Sequence, residues 1–225
     1  MKRQIAVIGL GIFGREVAVS LSERGFSVMA IDAAPEPVDE IKDDVAQALV
    51  IDTTNEHALL EAKVDEIEVV VNAIGTQHIE NSILTTALLR QLGVSHIIAR
   101  ATAPLHARIL RQVGAHEVVN PEEDMARKLA HQLARPGLRE ILPLAEGVCV
   151  AELPIPASFV GQTLGHLDVR QKYGVNVIGV QRIPAGGGER KMVLNISPTE
   201  DAFQEGDALV VIGRDEDVDR LGNLS

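Results

Sequence analysis

Six short apolar runs, each followed by an amphipathic run of helical length, fill the first 134 residues of the chain. The apolar runs lie at 5–8, 27–31, 48–51, 69–74, 95–99 and 117–119, and the helical ones at 13–24, 35–43, 56–62, 78–91, 104–113 and 121–134. Strands that alternate with helices in this way are parallel neighbours joined by helical crossovers. Such crossovers are right-handed, and several in succession wind a parallel sheet with helices on both faces. The run 69–74 has almost no polar residue, as a strand covered on both sides requires. In 13–24, Val17, Val19 and Leu21 are expected inward and Arg15, Glu16, Glu23 and Arg24 outward, with Gly25 as a left-handed stop.

After residue 134 the texture changes. Arg135-Pro136-Gly137 must end the helix, since proline removes a backbone donor and clashes with the preceding turn. Downstream, 148–155 and 175–183 alternate like half-exposed antiparallel strands, punctuated by Pro154, Pro156, Pro184 and Pro198. Residues 185–189 read as a hairpin tip, 207–212 as a further strand and 215–221 as a closing helix. The expected organisation is a Rossmann-like α/β domain over 1–136, a linker over 137–145, and a small α+β domain over 146–225.

The turn between the first strand and first helix reads Gly9-Leu10-Gly11-Ile12-Phe13-Gly14, a G-x-G-x-x-G pattern. In this context the first glycine permits the tight turn, the second lets a phosphate approach the backbone, and the third allows close helix–sheet packing. The phosphate then meets free N–H groups at a helix N-terminus. Asp32 ends the second strand, placed to accept from ribose hydroxyls and to repel a 2′-phosphate, which favours NAD, ATP or ADP over NADP. Ligands of such sheets bind beyond the carboxyl ends of the strands, here Asp52-Thr53, Ala73-Ile74-Gly75 and Arg100-Ala101. Arg100 is placed either to meet a phosphate or to form a surface ion pair.

Composition narrows the partners. The net charge is −11, and the chain has four Phe, one Tyr and no Trp. The charge repels nucleic-acid phosphate, and stacking platforms for single strands are scarce, so no nucleic-acid partner is expected. A single cysteine, Cys149 between two valines, allows no internal disulfide and reads as a buried strand residue in a reducing cytosol. Lys2 and Arg3 before an apolar stretch give the outline of a leader peptide, but three glycines within six residues favour the strand-and-loop reading. No apolar run reaches the ~20 residues of a membrane span. The seven histidines form no catalytic or metal-ligand motif with a carboxylate or cysteine. A bound nucleotide is therefore read as a regulatory ligand rather than a cosubstrate, with an NAD-dependent oxidoreductase, or a nucleotide sensor with another partner, as the competing readings.

Several stretches together resemble one family. Residues 5–14 (IAVIGLGIFG), 30–32 (AID), 71–75 (VNAIG) and 120–126 (NPEEDMA) are similar to the regulator-of-K⁺-conductance (RCK) domain. Residues 167–177 (LDVRQKYGVNV) and 205–213 (EGDALVVIG) are similar to the C-terminal domain that accompanies it. The resemblance implies a cytoplasmic regulatory subunit of a Ktr/Trk-type potassium transporter, peripheral on the inner face of the membrane. Its partner would be a membrane-embedded K⁺-translocating subunit, and its dimers would form an octameric ring whose shape responds to ATP, ADP or NAD(H). By the same resemblance the nucleotide contacts are Gly9, Leu10, Gly11, Ile12, Phe13, Gly14, Asp32, Ala33, Ala34, Asp52, Thr53, Ala73, Ile74, Gly75, Arg100, Ala101, Thr102 and His106. Related subunits carry an arginine at the position of Ile12, where it reaches the terminal phosphate; an isoleucine offers neither charge nor donor. Glu122 either complements the dipole of the helix that Asn120 caps or, as the resemblance implies, holds Mg²⁺ or Ca²⁺ at a dimer interface. Arg170 and Asn176 are ordinary surface residues or match positions that hold cyclic di-AMP in some relatives.

Overall fold

The computed structural model describes residues 3–134, 138–184, 188–194 and 196–224. The expected helix stop at 135–137 and most of the hairpin tip at 185–189 lie outside them. The chain forms two compact units, Met1–Asp124 and Met125–Ser225.

The first unit runs β1 (Gln4–Ile8), α1 (Ile12–Glu23), β2 (Ser27–Asp32), α2 (Pro35–Ile41), β3 (Gln47–Val50), α3 (Glu56–Glu61), β4 (Val69–Asn72), α4 (Ile79–Gln91), β5 (His96–Arg100), α5 (Pro104–Val113) and β6 (Glu117–Val119). Its six strands are parallel, in the order β3-β2-β1-β4-β5-β6. This is the doubly wound sheet expected from the alternation of runs. Successive strand side chains point to opposite faces, and both faces are filled. Ile5, Val7, Val28, Ala30, Val69 and Val71 join Ala18 of α1 and Val38 and Ile41 of α2 in one core. Ala6, Ile8, Met29, Ile31, Val70 and Ile97 join Leu59 of α3 and Leu89 of α4 in another. Gly25 ends α1 with φ +87°, the left-handed geometry that a side chain would strain.

Helix α4 inverts the usual pattern. Ser82, Thr85 and Thr86 are buried with Leu89, whereas Ile79 and Leu84 are exposed. The buried hydroxyls are largely satisfied locally. Asn72, at the end of β4, donates to the Ser82 carbonyl and the Thr86 hydroxyl, each at 2.9 Å, and the Thr53 and Thr85 hydroxyls lie 2.8 Å apart.

Helix α6 (Pro121–Ala134) begins at the end of the first unit. Asn120 caps it, accepting from the Glu123 N–H and donating to the Glu123 carboxylate. The second unit continues with β7 (Arg139–Ala145), β8 (Val148–Pro154), α7 (Leu164–Leu167), α8 (Val169–Tyr173), β9 (Asn176–Arg182), β10 (Lys191–Val193), β11 (Ala208–Arg214) and α9 (Asp215–Gly222). The five strands form an antiparallel sheet in the order β10-β9-β11-β8-β7. The expected linker over 137–145 needs correction: most of it is β7, an edge strand paired with β8. Pro143 hides it in the sequence, yet an edge strand tolerates a residue without an N–H. Phe159, Phe203, Leu209, Val211, Val218 and Leu221 form the core of this unit, and Cys149 is buried among them. A bidentate ion pair, Arg182 to Asp207, ties β9 to the start of β11 and lifts the guanidinium pKa further.

Candidate functional site

In the parallel sheet the strand order reverses between β1 and β4, so the chain leaves these neighbours in opposite directions and opens a crevice at their carboxyl ends. A cleft of about 590 Å³ lies there. It brings together Gly9, Gly11, Ile12, Asp32, Ala33, Ala34, Asp52, Thr53, Ala73, Ile74, Gly75 and Arg100 of the residues named from the sequence.

The glycines of the loop differ in what surrounds them. Gly9 has φ +88°, and a Cβ there would lie 2.9 Å from the Ile74 nitrogen. A Cβ on Gly14 would lie 1.8 Å from the Gly9 carbonyl oxygen, so only glycine lets α1 start this close to the sheet. At Gly11 a Cβ would meet nothing within 4 Å, because that position opens on the cleft. Gly11 is also the N-cap of α1 and has no side chain to cap the first-turn N–H groups, which leaves them for an anion. Ile12, beside it, is 95% exposed.

Asp32 has a task the sequence did not reveal. One carboxylate oxygen accepts the Leu10 N–H at 2.7 Å and the other accepts the Ala34 N–H at 2.9 Å. The carboxylate thus pins the glycine loop to the end of β2 while it lines the cleft. Leu10 itself is buried and serves through its backbone. Across the crevice Asn72 accepts the Ile74 N–H at 3.2 Å, fixing the opposite wall to α4. Asp52, at the rim, accepts from the Thr54 hydroxyl at 2.7 Å and the Thr54 N–H at 3.0 Å, which hold its carboxyl below the usual range.

Arg100 enters from the end of β5. Its guanidinium carbon stands 5.5 Å from the centre of the Phe13 ring, a cation–π arrangement. One terminal nitrogen pairs with the Glu122 carboxylate. The Arg100 side chain is only 14% exposed and that of Glu122 59%. Burial pushes the Glu122 carboxyl up, but a backbone hydrogen bond and Arg100 outweigh it and hold the group below its ordinary value.

Not every expected residue reaches the cleft. Gly14 lies under the loop, and Ala101 is buried. His106 is buried on α5, where its Nδ1 lies 3.2 Å from the Thr102 hydroxyl; burial lowers its pKa. Conversely, Ile8, Thr76, Gln77, His78 and Asn81 line the cleft without having been named. All but Ile8 follow the carboxyl end of β4, so the strand-end rule pointed at their segment. Among the described residues no group of three His, Cys, Asp or Glu gathers as a metal site. In the second unit Arg170 and Asn176 line a smaller depression of about 230 Å³ with Leu164, Gly165, Asp168 and Val175. Among the described residues, no helix is long and apolar enough to cross a membrane.

Residues 5–121 match the TrkA-N domain family and residues 150–225 the TrkA-C domain family. The chain is 36% identical to Ktr system potassium uptake protein C of Bacillus subtilis, over 98% of its own length and 96% of that protein. It is 31% identical to Ktr system potassium uptake protein A of Vibrio alginolyticus over the same shares. Among solved structures it is similar in fold to the GsuK channel, with TM-score 0.65 and 21% identity, covering 97% of this chain and 38% of that one. A GsuK channel bound to NAD matches at TM-score 0.63 and 22% identity, covering 100% of this chain and 39% of that one.

Proposed function

The chain belongs to the TrkA-N/TrkA-C family, and from that premise we propose that it is a nucleotide-sensing regulatory subunit of a potassium uptake system. It would bind an adenine nucleotide in the cleft between β1 and β4 and act on a membrane-embedded K⁺-translocating partner. Similarity to potassium uptake proteins over nearly the full length supports the system. The observation that carries the ligand is the cleft itself: uncapped N–H groups at the start of α1, an open Gly11, and Asp32 at the adjacent strand end.

In this reading the start of α1 receives the phosphates, and Asp32 accepts from the ribose with the lone pairs that Leu10 and Ala34 leave free. Ile12 contributes no charge, so ATP and ADP bind with similar strength, and NAD(H) is accommodated. The adenine nucleotide acts by favouring one arrangement of a homo-oligomeric ring, since a ligand shifts an equilibrium only through its differential affinity for two states. No catalytic step is assigned.

The test is mass spectrometry of the nucleotide that copurifies, followed by calorimetry with ADP, ATP and NAD on the wild type and Asp32→Ala. Loss of the ribose contacts and loosening of the loop should weaken binding at least about tenfold, as expected for charge-assisted hydrogen bonds. Absence of binding by the wild type, or unchanged affinity in the variant, would remove the assignment.

A further inference from the structure

Arg100 occupies the cleft in an incompletely used state. A guanidinium offers five N–H donors in a planar fork suited to two-pronged contact with an oxyanion. Here one terminal nitrogen pairs with Glu122, while Nε is buried and has no hydrogen-bond partner among the described residues. Phe13 steadies the guanidinium from one side. Gly75 bounds it on another, the Arg100 Nη1 lying 3.8 Å from where a Cβ on Gly75 would be. Phe13 belongs to the first turn of α1, so the guanidinium stands beside the helix start at which the anion is read to bind.

Glu122 is suited to let go. Its carboxylate is more than half exposed, in contrast to Arg100, so it recovers water when the pair opens. It also sits in the first turn of α6 with Glu123 and Asp124, where the helix dipole favours negative charge without Arg100. A nucleoside diphosphate brings at least twice the charge of a carboxylate and several more acceptor oxygens. It is the stronger partner for a guanidinium with donors to spare.

We propose that Glu122 is an internal competitor for Arg100: it holds the guanidinium, and the phosphates of a bound nucleotide displace it. This inference rests on the nucleotide reading above and adds to it a residue that sets affinity from outside the ligand's own contacts. Ligand binding and release of the Glu122 carboxylate are then one event.

The experiment is calorimetric titration of the full chain with ADP, in buffer with chelator so that no divalent cation intervenes. Wild type, Glu122→Gln, Arg100→Gln and the double variant are compared. Removing the competitor should tighten ADP by about three- to tenfold, the range open to a partly exposed ion pair. Arg100→Gln should weaken ADP, and adding Glu122→Gln to it should give no further tightening. If wild type binds ADP and Glu122→Gln does not tighten it, the inference is overturned while the nucleotide reading stands. Equal tightening with and without Arg100 would also overturn it, since that would report only the loss of a nearby negative charge. Failure of the wild type to bind ADP or any other adenine nucleotide would overturn the nucleotide reading and this inference together.

Discussion

At the scale of single residues, three glycines of one motif have separable duties. Gly14 faces the Gly9 carbonyl with no room for a methyl group, whereas Gly11 faces open space. Gly14→Ala must push α1 off the sheet, and overpacking against backbone costs about 1–3 kcal/mol or more. A lowered midpoint of thermal unfolding should report it. Gly11→Ala should leave that midpoint within about a degree, because nothing is displaced, and should instead weaken nucleotide binding by putting a methyl where phosphate approaches. Calorimetry beside the thermal melts checks the pair. Equal effects of both substitutions on stability would contradict the geometry.

At the scale of elements, α5 is held by a buried histidine. Burial depresses the His106 pKa below its ordinary 6.5, so the unfolded chain takes up this proton first as pH falls. Its contribution to stability is full well above pH 6.5, is lost as the pH falls through that value, and levels off below the folded pKa. His106→Asn keeps an acceptor near Thr102 and does not titrate. Its stability should fall less steeply over that interval, as measured by urea unfolding at several pH values; parallel slopes would refute the idea. Elements were legible in the sequence where burial imposed a period. The six parallel strands stood out, with β1, β2 and β4 almost wholly buried, and so did β8, β9 and β11 of the second unit. Strand β10 did not, because Lys191, Met192 and Val193 are all exposed and leave no alternation. Strand β7 was masked by Pro143, and α7 and α8 are too short for a helical period to repeat. The cleft was legible at strand ends, where rules of topology apply. The Asp32 hydrogen bonds to Leu10 and Ala34, and the partnership of Arg100 with Glu122, depend on side-chain directions that spacing does not encode.

For the whole molecule, the exposed apolar side chains argue for assembly. On α6, Met125, Leu129 and Leu133 are 62%, 52% and 72% exposed at intervals of four, which puts them on one stripe. Light scattering on the 24.2 kDa chain should give a closed homo-oligomer, eight chains on our reading, and Leu129→Asp should shift it towards smaller species. A monomer at micromolar concentration, with and without nucleotide, would remove the ring and the proposed gating. The order of strands has a separate consequence, for the way the protein is made. Strand β1 leaves the ribosome before both of its sheet neighbours, β2 and β4, and Gly9 packs against Ile74. The glycine motif therefore cannot take its final shape until some sixty residues have followed it. Through that interval the edge of β1 that β4 will cover stays unpaired on the nascent chain, a state prone to aggregation and a natural client for chaperones.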